Sequence, residues 1–211
     1  MVMYQLYGTQ GSGSAIVEIA LECCQVPYRI VEASSWAPSP GADELARLNP
    51  LKQVPTLQLP DGSVLTESAA ILIELGLRYP RSALLPEDES ARAQAIRGLV
   101  FIAANCYSAI SVIDYPERWL RDADEALRAR VRDAAHERLH RNWEVFADQF
   151  ATQLYASGSP LAALDVQAAV VSRWCGTREH LRRERPECCD LLERIDRHPQ
   201  VAQVLERHWP D

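Results

Sequence analysis

The spacing of apolar residues changes once along the chain, near residue 80, and this change limits the folds that are possible. Before it, four short runs of β-strand character (MYQLY, YRIVE, TLQL and SVLT) alternate with helical runs (SAIVEIALECC, GADELARLN and ESAAILIELGLRY). Pro60, Asp61 and Gly62 supply turn residues between the last two strands, which indicates a hairpin. The order β-α-β-α-β-β-α therefore predicts an α/β domain with a mixed sheet and helices packed on it.

Beyond residue 80 nearly every segment has helical period, which predicts an all-α second domain. The longest helix should run from about Asp122 to Phe150, and shorter helices should follow around residues 162–175 and 188–207. On the buried side of the long helix we expect Leu127, Val131, Leu139, Trp143 and Phe146. The segment Tyr79–Pro86 has two prolines and no periodicity. We expect an N-terminal domain over residues 1–79, a linker over 80–87 and a helical domain over 88–211.

The overall composition excludes several classes of function. The formal net charge is -7 and no run is rich in lysine and arginine, so nucleic acid is not the expected partner. No apolar run is long enough to span a bilayer and the start lacks the features of a signal peptide, so a cytoplasmic protein without a membrane partner is expected. The six cysteines include no C-x-x-C pair, and His136 and His140 lack further ligands. We therefore expect no metal.

The segment Lys52–Leu57 (KQVPTL) contains a proline where a strand should begin. Proline is normally excluded from central strands because it cannot donate to the hydrogen-bond ladder. Two interpretations are open. An ordinary trans bond is favoured by the pattern alone, whereas a cis Val54–Pro55 bond would free the backbone of Val54 to pair with a peptide-like ligand.

The segment Thr66–Ala70 (TESAA) predicts the start of a helix, with Thr66 as N-cap. The N–H groups at such an end can bind a carboxylate, and the hydroxyl of Ser68 adds a donor. Glu67 has the charge to hold an ammonium group. The segment suits the head group of an amino acid, although a well-capped helix without a ligand fits it as well.

The loop Gly8–Ala15 (GTQGSGSA) nearly matches the phosphate-binding loop G-x-x-x-x-G-K-[ST], but Ser14 stands in place of the lysine. It connects the first strand to the first helix. A hydroxyl in such a loop, beside free N–H groups at the positive end of a helix, can stabilise a thiolate.

The pieces NPLKQVPTL and DGSVLTESAAI, with this order of elements and a helical second domain, resemble the cytosolic glutathione transferases over nearly the whole chain. The resemblance implies a thioredoxin-like first domain and glutathione as co-substrate. It implies that Pro55 is a cis proline and that the backbone of Val54 pairs with the cysteinyl unit of glutathione. Glu67 and Ser68 would hold the γ-glutamyl end, with Gln53 nearby.

The chain departs from that family at the position of the thiol-activating residue. Glycine occupies both expected positions, Gly11 for the serine of theta-, zeta- and delta-like members and Gly13 for the cysteine of beta-like members. Ser12 is the first candidate because it lies closest to the expected helix start. Ser14, whose other expected role is N-cap, is the second candidate, and Tyr7 is the third.

A further departure is that Ala162 replaces the capping hydroxyl usual before Asp165 in such proteins. The absence of that hydroxyl should weaken the start of the following helix by roughly 1 kcal/mol.

The resemblance also implies a second-substrate pocket against the first helices of the helical domain, and a homodimer. Trp174 could reach the same cleft from a later helix.

The implied function is attack of the activated thiol on a small hydrophobic electrophile or a peroxide. Two alternatives stay open: a binding or regulatory protein without turnover, and a glutathione-dependent thiol transferase. The residues that we assign to the pocket are Asn105, Tyr107, Tyr115 and Trp119.

Overall fold

A computed structural model of the chain describes residues 3–155 and 159–210. Its single four-stranded sheet, within this described part, has the order β2-β1-β3-β4. Strand β1 pairs in parallel with β2 and antiparallel with β3, and β3 pairs antiparallel with β4. The mixed sheet predicted from the hairpin is therefore confirmed. The strands are β1 (Tyr4–Gly8), β2 (Tyr28–Glu32), β3 (Thr56–Gln58) and β4 (Val64–Thr66).

Three helices cover the sheet: α1 (Ser14–Cys24), α2 (Ala42–Leu48) and α3 (Ser68–Arg78). Helices α1 and α3 bury their apolar faces in the main core, together with Leu6 and Leu57 of the sheet. On α2, Leu45 packs in a separate small cluster with Tyr7 and Ala33. The layers are those of a thioredoxin-like domain, as expected.

Two helix starts differ from the prediction by one residue each. Thr66 is not the N-cap of α3, because it is the last residue of β4 and Glu67 occupies the cap position with a φ of 62°. Ser14 is not the N-cap of α1, because it is already the first helical residue. The side chain of Ser12 serves this end instead, since its Oγ accepts a hydrogen bond from the N–H of Ser14 at 3.1 Å.

The rest of the described chain is helical, as predicted. The 26-residue run Glu89–Asp114 consists of α4 (Glu89–Phe101), a π-helical segment (Ile102–Tyr107) and α5 (Ser108–Asp114). It is followed by α6 (Glu125–Phe150), α7 (Ala163–Val171), α8 (Thr177–Glu184), α9 (Pro186–Asp196) and α10 (Pro199–His208), with short 3-10 turns at Pro80–Ser82, Pro116–Arg118 and Ala151–Gln153.

The run Glu89–Asp114 is also the one helix of the described residues that is long and apolar enough to cross a membrane, judged by length and composition alone. Its apolar residues Leu99, Ile102 and Cys106 are fully buried in the main core. This burial accounts for the hydropathy of the helix, because the core helix of a globular domain has the same composition.

The long helix α6 is less buried than predicted at its start. Leu139, Trp143 and Phe146 are fully buried, but Leu127 is 42% exposed, so its assignment to the buried side was wrong. The buried residues of α6 begin only at Ala135, so its first turns contribute little to the core.

The segment between α3 and α4 is packed rather than extended. Leu84 and Leu85 are buried, and the carbonyl of Leu84 accepts the N–H of Ala163 at 2.8 Å. This contact joins the segment to the start of α7, which lies in the core of the helical part.

The start of α7 compensates for its missing capping hydroxyl. The buried carboxylate of Asp165 accepts the N–H of Ala162 and that of Tyr155, both at 2.8 Å. Burial raises the pKa of Asp165 to about 6, although these two hydrogen bonds act to lower it.

Candidate active site

A cavity of about 770 Å³ lies between the α/β domain and the π-helical and α5 part of the helical domain. This volume falls within the usual range for small-ligand sites. Its walls carry residues of the three segments singled out in the sequence: the loop before α1, the segment around Pro55 and the start of α3. The fold therefore brings together three features that are distant along the chain.

The first wall is the turn that contains Val54 and Pro55, whose peptide bond is cis. Asn49 holds this turn, since its Nδ2 donates to the carbonyl of Gln53 at 3.1 Å and to Thr56 Oγ1 at 3.0 Å. The backbone N–H and C=O of Val54 form no hydrogen bond with any residue in the described ranges. They are free to pair with an extended ligand, and Gln53 lies beside them on the cavity wall.

The second wall is the start of α3. Both Glu67 and Ser68 line the cavity, and Glu67 is exposed while Ser68 is buried. The Ser68 hydroxyl forms no hydrogen bond within the part of the chain that the structure covers. The positive φ of Glu67 is unfavourable for a residue with a side chain and is typical of functional sites. An anionic carboxylate lies here beside the positive end of a helix, an arrangement that can hold a zwitterionic head group.

The third wall is the loop before α1, where Gly11, Ser12 and Gly13 line the cavity. The Oγ atoms of Ser12 and Ser14 are 2.7 Å apart, and Ser14 Oγ lies 3.3 Å from the carbonyl of Thr9. When Ser14 donates to Ser12, the proton of Ser12 is left free to donate into the cavity. When Ser14 donates to Thr9 instead, Ser12 must donate to Ser14 and has no proton left for a ligand.

The other two candidates for thiol activation do not reach the cavity. Ser14 is not on its wall, because its side chain is buried against the Cα of Gly8. Tyr7 is fully buried in the cluster with Leu45, on the α2 side of the sheet. Burial raises its pKa to about 12, and the nearby Glu44 carboxylate acts in the same direction. Its hydroxyl forms no hydrogen bond with any described residue.

The residues predicted for the second-substrate pocket divide into two groups. Tyr107 and Tyr115 line the cavity, as does Trp174. Asn105 does not, and its side-chain Nδ2 donates instead to the carbonyl of Phe101 at 3.2 Å, one turn earlier in the same helical run. Trp119 does not either; it lies directly after the 3-10 turn Pro116–Arg118 and is 62% exposed.

Sequence reasoning missed several residues of the cavity wall, among them Trp36, Lys52, Arg118 and Cys175. Lys52 is the one with a signal in the sequence, since it directly precedes Gln53 in the segment already singled out. The guanidinium of Arg118 stacks on the ring of Tyr115 at 3.8 Å from its centroid. The second half of the cavity is therefore more polar than a purely hydrophobic pocket.

The cysteines are all free thiols, and burial raises the pKa of those near the first helix and the cavity. The values are about 12 for Cys23, about 11 for Cys24 and about 11 for Cys175. These groups are protonated at neutral pH and are therefore poor nucleophiles. Over residues 3–155 and 159–210 no group of three histidine, cysteine or acidic side chains is arranged to hold a metal ion.

Comparisons with known proteins agree with this geometry. Residues 14–78 match the model of the glutathione S-transferase N-terminal domain. The chain is 31% identical over 207 residues to the uncharacterised glutathione-S-transferase-like protein YncG of Escherichia coli K12, with 98% of each chain covered. The chain therefore belongs to the glutathione S-transferase family.

Two further matches extend the comparison. A maleylacetoacetate isomerase of Pseudomonas aeruginosa is 35% identical over 130 residues, which cover 59% of this chain and 60% of the isomerase. The crystal structure of a glutathione transferase homologue from Sulfitobacter, with bound glutathione, has a TM-score of 0.84 at 24% identity and 97% coverage of both chains. At that identity the likeness establishes the fold.

Proposed function

We propose that the protein is a glutathione transferase that binds glutathione along the three walls of the cavity. The α-carboxylate of the γ-glutamyl unit binds at Ser68 and the start of α3, and its ammonium group pairs with Glu67. The backbone of the cysteinyl unit pairs with the free N–H and C=O of Val54. Gln53 and Lys52 lie next along this wall, where Lys52 supplies a cation for the glycyl carboxylate.

The thiol lies at the third wall, where Ser12 donates a hydrogen bond to it. The thiol loses its proton to water, and the thiolate attacks an electrophilic carbon of a second substrate held near Tyr107, Tyr115 and Trp174. A carbon–sulfur bond forms and the leaving group departs with its electron pair. With a peroxide the thiolate attacks oxygen instead, the O–O bond breaks, and a second glutathione reduces the sulfenic acid.

The energetic demand on the thiol site is modest. A free thiol has a pKa of about 8.5, and lowering it by about two units requires roughly 2.7 kcal/mol. One hydrogen bond to a charged group supplies roughly 1.5–3 kcal/mol. The N-terminus of α1 adds roughly 0.3–1 kcal/mol. Ser12 and the helix end together are sufficient.

The observation that carries the proposal is the free backbone of Val54, placed in one cavity between Glu67 and Ser68 on one side and the start of α1 on the other. Glutathione has a zwitterionic end, a central peptide backbone and a thiol in this same order. The Sulfitobacter homologue, which shares the fold, has glutathione bound, and this supports the assignment.

Isothermal titration calorimetry with glutathione tests the proposal. We expect binding with a dissociation constant in the micromolar to low millimolar range, and a large loss of affinity for Glu67→Gln. Absence of binding at millimolar glutathione would overturn it. Binding without turnover of chloroarenes or organic hydroperoxides would favour a regulatory protein, and turnover confined to disulfides would favour a thiol transferase.

Membership in the family also supports a homodimer and a cytoplasmic location, which we include in the proposal. Light scattering coupled to size exclusion measures the assembly directly. We expect about twice the chain mass of 23.7 kDa, and a mass of one chain at micromolar concentration would contradict the dimer.

A further inference from the structure

The π-helical segment Ile102–Tyr107 interrupts the long helix where it borders the cavity. A π turn holds an additional residue, so the side chains that follow it point in other directions than in a continuous α-helix, and such turns are frequent at functional sites. The backbone carbonyls of this segment accept hydrogen bonds from side chains. Asn142 Nδ2 donates to the carbonyl of Asn105 at 2.9 Å and Ser108 Oγ donates to that of Ala104 at 2.6 Å.

Tyr107 is the last residue of this segment, and its hydroxyl meets the start of α1. A Cβ atom at position 13 would overlap the Tyr107 hydroxyl oxygen, and the same point lies 3.6 Å from Pro55 Cδ. Glycine at position 13 is therefore required for the close approach of Tyr107. The ring of Tyr107 also packs against that of Trp174, with centroids 5.6 Å apart, and this contact restricts its orientation.

The Tyr107 hydroxyl has no hydrogen-bond partner among the residues that the structure describes. It is an O–H donor on the cavity wall, beside the start of α1. The backbone N–H of Gly13, on the same wall, likewise forms no hydrogen bond with any described residue. Ser12 borders the same point from the adjacent position of the loop. This end of the cavity therefore offers the unpaired Tyr107 hydroxyl from the helical domain, with Ser12 and the N–H of Gly13 on the adjoining wall.

From this geometry we propose that the Tyr107 hydroxyl is a catalytic hydrogen-bond donor to the glutathione thiolate, acting together with Ser12 from the opposite domain. The inference rests on the proposed function and deepens it. The thiol proton leaves to water, the O–H bond of Tyr107 stays intact, and no bond of the protein breaks. Gly13 takes part by leaving the space that the phenol occupies.

The ionisation of Tyr107 is consistent with the role of a donor. Burial raises the pKa of the phenol, and the carboxylates of Asp114 and Glu67 raise it further, because a phenolate beside them would be unfavourable. The phenol therefore keeps its proton at every pH at which a bound thiol ionises. It donates to the thiolate and does not act as a base.

The test is the pKa of the bound thiol. It is obtained by following the thiolate absorbance near 240 nm as a function of pH, after subtracting the absorbance of the protein without glutathione. Loss of one hydrogen bond to a charged group should raise this pKa by about 1–2 units in Tyr107→Phe. The affinity at low pH, where the thiol is protonated, should change less than about 3-fold. Tyr115→Phe is the matched control, because it removes a hydroxyl from the same cavity away from Gly13, and the pKa should not change.

A double-mutant cycle with Gly13→Ala tests the contact itself. Alone, Gly13→Ala should raise the thiol pKa because its methyl group displaces the phenol. In the Tyr107→Phe background it should have a much smaller effect, since the overlapping oxygen is absent; additive effects would contradict the contact.

The possible failures are distinguishable. If the wild type binds glutathione and lowers its thiol pKa, but Tyr107→Phe leaves that pKa unchanged, the role of Tyr107 is overturned and the proposed function stands. If the wild type does not bind glutathione, both are overturned.

Discussion

The cavity lies between two helix starts that the protein holds in different ways. Helix α3 begins directly after β4, with only Glu67 between the last strand residue and Ser68. Helix α1 begins after the loop Thr9–Gly13, and α10 supports it from the far end of the chain. Gln10 Nε2 donates to the carbonyl of Arg207 at 2.9 Å, and Glu18 accepts from Arg207 Nε and His208 Nε2, also at 2.9 Å each.

The difference shows that the two ends of the candidate glutathione site depend on different parts of the chain. The start of α3 is set by adjacent residues, whereas the start of α1 depends on residues about 190 positions later. Changes in α10 should therefore disturb the thiol end of the site and leave the γ-glutamyl end intact.

Glu18→Gln should lower the free energy of unfolding by about 3 kcal/mol, because it leaves Arg207 and His208 without their buried anionic partner. Urea denaturation followed by circular dichroism measures the change. The control is Glu22→Gln, one turn later on α1, where the carboxylate is partly exposed and lies 3.8 Å from Arg207. There the change should stay below about 1 kcal/mol, and equal losses at both positions would contradict the special role of Glu18.

Glu18→Gln and the wild type should also differ in the pH dependence of stability. Burial alone would raise the pKa of Glu18, but the hydrogen bonds from His208 and Arg207 outweigh it, and the pKa lies below its ordinary value. The native state therefore releases this proton more readily than the unfolded state. The stabilisation is present above the unfolded pKa, about 4.3, and is lost as the pH falls through the folded value. Glu18→Gln should lose less stability on acidification than the wild type, and parallel acid profiles would refute this assignment.

At the other helix start, Ser68→Ala should weaken glutathione binding by roughly 10- to 100-fold, because a hydrogen bond to a carboxylate is lost. The unfolding free energy should change little, since the hydroxyl has no partner in the described protein. Titration calorimetry and denaturation on the same sample separate the two effects. Ser111→Ala is the control, as this serine lines the other half of the cavity, and an equal loss of affinity there would contradict the assignment.

Glu67→Gly should separate the function of this residue from its backbone strain. A left-handed conformation costs a residue with a side chain roughly 1–2 kcal/mol, and glycine in its place costs roughly 0.5–1 kcal/mol of chain entropy. The variant should therefore be more stable than the wild type by about 0.5–1 kcal/mol while binding glutathione more weakly. Glu67→Gln should lose affinity without this gain in stability. An unchanged melting temperature in Glu67→Gly would argue against strain.

The sequence predicted the local features well and those that depend on distant contacts poorly. The sheet and the placement of Glu67 and Ser68 on the cavity wall followed from short segments, with an error of one residue at Thr66. Alternation along β1 predicts that Leu6 and Tyr7 lie on opposite faces of the sheet. It does not predict that the face of Tyr7 is the one covered by α2, where its hydroxyl is away from the cavity.

The wall of the second-substrate pocket shows the same limit. Asn105 and Tyr107 were indistinguishable by helical spacing, because nothing in the local pattern reveals the π turn that aims only Tyr107 at Gly13. Trp36 and Cys175 carry no local signal at all. They reach the cavity through the packing of loops that the pattern of apolar residues does not encode.

The smallest expected effect concerns Ser14, which acts on the cavity only through Ser12. If Ser14 donates to Ser12 while Ser12 donates to the thiolate, its loss removes the cooperative strengthening of one hydrogen bond, about 10–30% of roughly 1.5–3 kcal/mol. Ser14→Ala should therefore raise the thiol pKa by about 0.1–0.7 units, against a larger rise in Ser12→Ala. Equal rises in the two variants would show that Ser14 contacts the thiolate itself. That outcome would require the loop to rearrange, because the side chain of Ser14 is buried against Gly8 and off the cavity wall.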